Sequence, residues 1–91
     1  MDNGKLPGED LVAKGIRDLE RGEESLEAVL VSIGAPRLRS AGLKIPSNVV
    51  ASPELRLYEL LARESSNSAH SRYNALLRRL VSYERALECV G

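Results

Sequence analysis

Residues 52–90 read SPELRLYELLARESSNSAHSRYNALLRRLVSYERALECV, and the fold class follows from this stretch. Ser52-Pro53-Glu54 has the chemistry of a helix start: a capping hydroxyl, a proline at the first helical position, an acid in the first turn. Leu55, Leu57, Tyr58, Leu60, Leu61 and Ala62 follow on an apolar arc too wide for a single neighbour to cover. The side chains of Ser65-Ser66-Asn67-Ser68 compete with a helical backbone for its hydrogen bonds, which predicts a turn. Ser68 or Asn67 then caps a long last helix, whose stripe is Tyr73, Leu76, Leu77, Leu80, Tyr83, Leu87 and Val90. The alternative is one helix from Pro53 to Cys89, against which the four poor helix formers at 65–68 argue.

Toward the N-terminus the same period continues. Leu11, Val12, Gly15, Ile16 and Leu19 share one face, with Glu9 and Asp10 in the first turn, Arg17 and Arg21 late, and Gly22 as the stop. Gly15 on that face either admits a second helix closely or is merely tolerated. Ser25 caps a second helix carrying Leu26, Val29, Leu30 and Ile33, which Gly34 ends; Val31, on the opposite side, points to a second contact surface. Pro36 opens a separate short helical turn through Arg37, Leu38, Arg39 and Ala41, closed by Gly42. Residues 43–51 contain Pro46 and Asn48 and read as an ordered loop whose apolar side chains pack down. The prediction is an all-α antiparallel bundle of four main helices plus that short turn, with no sheet. Residues 1–8 are expected to form a flexible tail and 9–91 a single helical domain.

A chain of 91 residues, 43% hydrophobic and 29% charged, suits one small globular domain and excludes a multidomain enzyme. Three tyrosines without Phe or Trp, beside fifteen leucines, make the core aliphatic. One cysteine, Cys89, has no internal disulfide partner, so a reducing, cytoplasmic setting is expected. No apolar run follows Lys5, which predicts no secretion leader, and none is long enough to cross a bilayer, so no membrane partner is expected. Metal binding and cofactors are not expected. Glu20, Glu23, Glu24 and Glu27 cluster without calcium-loop spacing and read as a solvated acidic corner, and no glycine-rich phosphate loop is present.

Net charge is zero, but its distribution is uneven. Residues 1–34 carry eight acids against four bases and residues 35–91 nine bases against five acids, a split of −4 and +4. Eight of those nine bases are arginine, whose planar fork suits phosphate or carboxylate.

The lone histidine, His70, lies in the most polar stretch of the chain and is the natural candidate for acid–base work. Arg63, six residues, then His70 resembles the Arg-x(4-6)-His spacing of HEPN ribonucleases, a family of small all-helical proteins that often dimerise. That resemblance implies Arg63 steadying a phosphate and His70 serving as general acid or base.

Three functional expectations follow. The first is a non-enzymatic interaction module that self-associates, most simply as a two-fold dimer, and presents helix faces to a protein partner; its interface candidates are Leu57, Tyr58, Leu60, Leu61, Tyr83 and Leu87. The second is a nucleic-acid-binding regulator using Arg37, Arg39, Arg72, Arg78, Arg79 and Arg85, with Pro36–Gly42 as a short recognition element. The third is the ribonuclease, with Arg63 and His70.

Overall fold

The computed structural model describes Leu6 and residues 8–90. Four helices run α1 (Glu9–Glu20), α2 (Leu26–Ser40), α3 (Pro53–Glu64) and α4 (Ala69–Val90), with no strand among the described residues. The all-α expectation holds, and the turn at 65–68 separates α3 from α4. Of the expected tail, residues 1–5 and 7 lie outside the described residues. Leu6 is already on the core, its N–H donating to Glu9 Oε1 at 3.0 Å, so the packed body is reached before α1 begins.

Two of the predicted helix boundaries are corrected. Gly34 does not end the second helix and Pro36 does not begin another: α2 runs unbroken through both. An interior proline removes one backbone N–H and crowds the preceding turn, a cost of roughly 3 kcal/mol. Burial on several sides outweighs it, because Ala28 to Ser32, Gly34, Ala35 and Leu38 are all buried. Gly34 serves close approach instead, since a Cβ there would stand 2.6 Å from Glu84 Oε2 and 3.0 Å from Leu80 Cδ1 of α4. The actual stop is Gly42, at φ 104°, where Gly42 N–H donates to the Arg39 carbonyl and Leu43 N–H to the Leu38 carbonyl.

The second correction concerns Ser52. It precedes α3 as expected but sits at φ 47° and its hydroxyl caps nothing; the Ser52 carbonyl accepts from Arg56 N–H, and Pro53 leaves one N–H fewer to satisfy. Ser25 does cap α2, accepting from Ala28 N–H at 3.1 Å, a bond worth about 1 kcal/mol.

α2 is the central element and packs against α1, α3 and α4. Its Val31, opposite the main stripe, is fully buried because α1 lies there. Gly15 makes that approach possible, for a Cβ at this position would fall 2.3 Å from the Glu27 carbonyl oxygen. Loop 43–52 is strapped to the helices by Asn48 Nδ2 donating to the Leu19 carbonyl and Val50 N–H donating to Ser32 Oγ, both at 2.9 Å. Leu43, Ile45, Val49 and Val50 pack down as predicted.

The core is aliphatic apart from Tyr83. Three residues expected at an interface between copies are in it: Leu57 and Leu61 are wholly buried and Tyr83 is 6% exposed. They are therefore not available to a partner. Leu60 and Leu87 are half-buried, and Tyr58 alone of the six is open. The wide arc of α3 finds α2 and α4 as neighbours, which is why four short segments hide more apolar surface than the sequence suggested. Leu55 and Tyr58 are the large hydrophobic side chains left exposed among the described residues. The Tyr58 and Tyr73 rings pair at 5.6 Å across the α3–α4 hairpin.

Candidate functional site

Among the described residues two ionisable side chains are buried, Asp18 and Glu84, and each meets a basic partner. Asp18, 3% exposed at the end of α1, accepts from Lys14 Nζ at 2.7 Å and from Ser25 Oγ at 2.5 Å. The Lys14 hydrogen bond, seconded by Ser25, holds its carboxyl below the ordinary aspartate value. Glu84 of α4, 5% exposed, faces Arg37 Nη1 at 3.3 Å. Burial pushes its carboxyl up, against the pull of Arg37. The same guanidinium grips exposed Glu88 in a fork, Nε to Oε2 at 2.8 Å and Nη2 to Oε1 at 2.9 Å, and that bond lowers the Glu88 carboxyl.

This clasp between α2 and α4 decides what Arg37 can do. It was a nucleic-acid candidate, and its donors are taken by two carboxylates of the same chain. Arg39 is likewise tied down, donating to the Ile45 and Pro46 carbonyls at 3.3 and 2.8 Å. The expected recognition element Pro36–Gly42 therefore does not stand apart. Its helical residues finish α2, and its two arginines fasten other segments.

The remaining bases divide cleanly. Arg56 bonds Glu24 at 2.8 Å, which among the described residues links 1–34 to 35–91. Arg72 bonds Glu64 across the 65–68 turn at 2.5 Å. Arg78, Arg79 and Arg85, like Arg17 and Arg63, are exposed and make no hydrogen bond or ion pair with another described residue, but these three share one stretch of α4, and Arg85 helps to hold the Glu88 carboxyl low.

Helix periodicity places these three together. At about 100° per residue, Arg78 and Arg85 fall on one side of an outer ridge and Arg79 on the other. The ridge between them, Ser71, Ala75 and Ser82, is exposed and small. Leu77, Arg78, Val81, Ser82 and Arg85 line a shallow open groove with Asn74. Glu9 and Asp10 of α1 border Arg79, whereas no acid lines the Arg78–Arg85 side. Glu88, the acid one turn beyond Arg85, is the one gripped by Arg37. Sequence reasoning named the arginines but missed Ser82 and Asn74. The spacing of Ser82, four after Arg78 and three after Arg79, and of Asn74, four before Arg78, was visible, yet only the engagement of Arg37, Arg39, Arg56 and Arg72 elsewhere sets this face apart from theirs.

Arg63 and His70 are both exposed, on either side of the 65–68 turn, and no hydrogen bond joins them among the described residues. His70 Nε2 lies 3.3 Å from Asn74 Nδ2 of the next turn. Cys89 is an exposed thiol. Among the described residues no three His, Cys, Asp or Glu side chains gather as metal ligands, and no helix is long and apolar enough to cross a membrane. An apolar pocket lies between α1, α2 and α4, lined by Leu11, Leu26, Leu30, Ala75 and Leu76 with Glu27 and Arg72. Comparison of the chain with protein-family models, curated proteins and solved structures finds no match in any of the three.

Proposed function

We propose that this chain is a small nucleic-acid-binding module, working in a reducing compartment, that contacts backbone phosphates through the outer face of α4. The supporting observation is the contrast among its arginines. Arg37, Arg56 and Arg72 meet carboxylates and Arg39 meets carbonyls; of the arginines without a hydrogen bond or ion pair among the described residues, Arg17 and Arg63 stand singly, while Arg78, Arg79 and Arg85 are gathered exposed on one helix. A guanidinium fork matches a phosphodiester, and a positive face on a neutral chain gives local attraction without general stickiness. The test is retention on random-sequence DNA and RNA at low salt. Wild type is expected to bind and to elute as salt rises, with the triple variant Arg78→Ala/Arg79→Ala/Arg85→Ala losing most of its affinity and Arg63→Ala behaving as wild type. A wild-type chain that passes through at low salt overturns the reading.

A second reading, self-association into a dimer, draws on Leu55, 63% exposed, and Tyr58, 38% exposed, side by side on α3. Sedimentation at tens of micromolar tests it: a dimer that Leu55→Ser dissociates supports this interface, and a monomer at all concentrations discards it.

A further inference from the structure

Ser82 lies between Arg78, Arg79 and Arg85 in helical register, and lines one groove with Arg78 and Arg85. Arg78 and Arg79 precede it by four and three residues and Arg85 follows by three, the spacings at which helical side chains are surface neighbours with Cβ atoms about 5–6 Å apart. All four residues are exposed. Like charges gathered within two turns of a helix repel one another, and Glu88, at i+3 from Arg85, relieves that arginine alone while it is shared with Arg37. Glu84 is buried and Glu88 is held by Arg37. Glu9 and Asp10 border Arg79, but no acid lines the groove that Arg78, Ser82 and Arg85 share, which leaves room for one anion over the short Ser82 side chain.

We infer that one phosphate of the nucleic-acid backbone seats over Ser82, taking N–H donors from Arg78, Arg79 and Arg85 and the Ser82 hydroxyl proton. This rests on the nucleic-acid reading above and gives it a register on α4. The smallness of Ser82 is part of the site, because a longer side chain would fill the space of the phosphate. A carboxylate grafted there would go further and satisfy the arginines from within the chain.

The test compares two substitutions of equal charge on the same face. Binding of a labelled random-sequence DNA duplex is followed by fluorescence anisotropy for wild type, Ser82→Glu, Ser71→Glu and Ser82→Ala. Ser82→Glu is expected to weaken binding at least about tenfold and to flatten the salt dependence, Ser71→Glu to weaken it by less than about threefold, and Ser82→Ala, which loses only the hydroxyl donor, to weaken it by about two- to fivefold. Equal loss in the two glutamate variants, or wild-type binding by Ser82→Glu, overturns the seat while leaving the nucleic-acid reading intact. Failure of wild type to bind any nucleic acid overturns both. A measurement on the unaltered chain guards against misfolded variants: on titration with the duplex, the Nε–H resonances of Arg78, Arg79 and Arg85 shift together while that of Arg37 stays. Shifts spread evenly over all arginines overturn the seat.

Discussion

Gly15 and Gly34 carry the two closest helix approaches, and neither is an interchangeable small residue. At Gly15 the obstacle to a side chain is partly backbone, the Glu27 carbonyl oxygen 2.3 Å from an added Cβ, so α1 and α2 would have to move apart. Gly15→Ala is expected to destabilise by at least about 1–3 kcal/mol, the range for overpacking, although alanine is the better helix former. Chemical denaturation checks this, and an unchanged or raised midpoint would contradict the packing. Asp18 and Glu84 give a signed pH dependence. The Asp18 carboxyl is lowered in the fold, so its contribution is present above the ordinary aspartate value of 3.8 and is lost as pH falls through its lower folded value. Glu84 is raised from 4.5, so its protonated form is favoured by folding, and that contribution is lost as pH rises through its folded value. Thermal melts should therefore find Asp18→Asn less stable than wild type at neutral pH, with the gap closing in acid. Glu84→Gln should do relatively best at neutral pH and lose that advantage below pH 4.5, where wild-type Glu84 carries its own proton.

At the scale of elements, α2 departs most from its local signals. Gly34-Ala35-Pro36 is a competent stop and restart by itself, and local reading divides the segment there. The helix continues because its neighbours on three sides need a continuous apolar surface, and each buried leucine or valine is worth about 1.5–3 kcal/mol against one proline defect. Pro36 is exposed, so removing it disturbs no core contact. Pro36→Ala is expected to stabilise the chain by about 1–3 kcal/mol, read as a rise in unfolding midpoint, and a fall would mean that the proline shapes α2 to its neighbours. The signals that did work were hydrogen-bond chemistry close in sequence: the Ser25 cap, the Gly22 and Gly42 stops and the polar run at 65–68. α3 shows the limit of that approach. Its apolar arc was legible, but which of its leucines face the chain and which face outward depends on helices far away in sequence.

For the whole molecule, the uneven charge along the chain does not resolve into two attracting halves. Among the described residues Arg56 with Glu24 is an ion pair that crosses between them; other pairs, such as Arg21 with Glu23 and Arg37 with Glu88, are within a half. What remains is a local positive face on a chain of zero net charge. Exposed ion pairs contribute little to stability, so the arginine triple variant is expected to fold and melt within about 0.5 kcal/mol of wild type while losing nucleic-acid binding. The sequence by itself determined the all-α class, the Ser25 cap, the Gly22 and Gly42 stops, the turn at 65–68, the aliphatic core and the supply of arginines, because each depends on composition or on residues a few positions apart. Only the tertiary structure decided that Gly34 is a contact rather than a stop, that Leu57, Leu61 and Tyr83 are interior, and that Arg37, Arg39, Arg56 and Arg72 are tied down while Arg78, Arg79 and Arg85 stay exposed. Those outcomes depend on partners as much as 51 positions away, as with Arg37 and Glu88, and no local pattern records them.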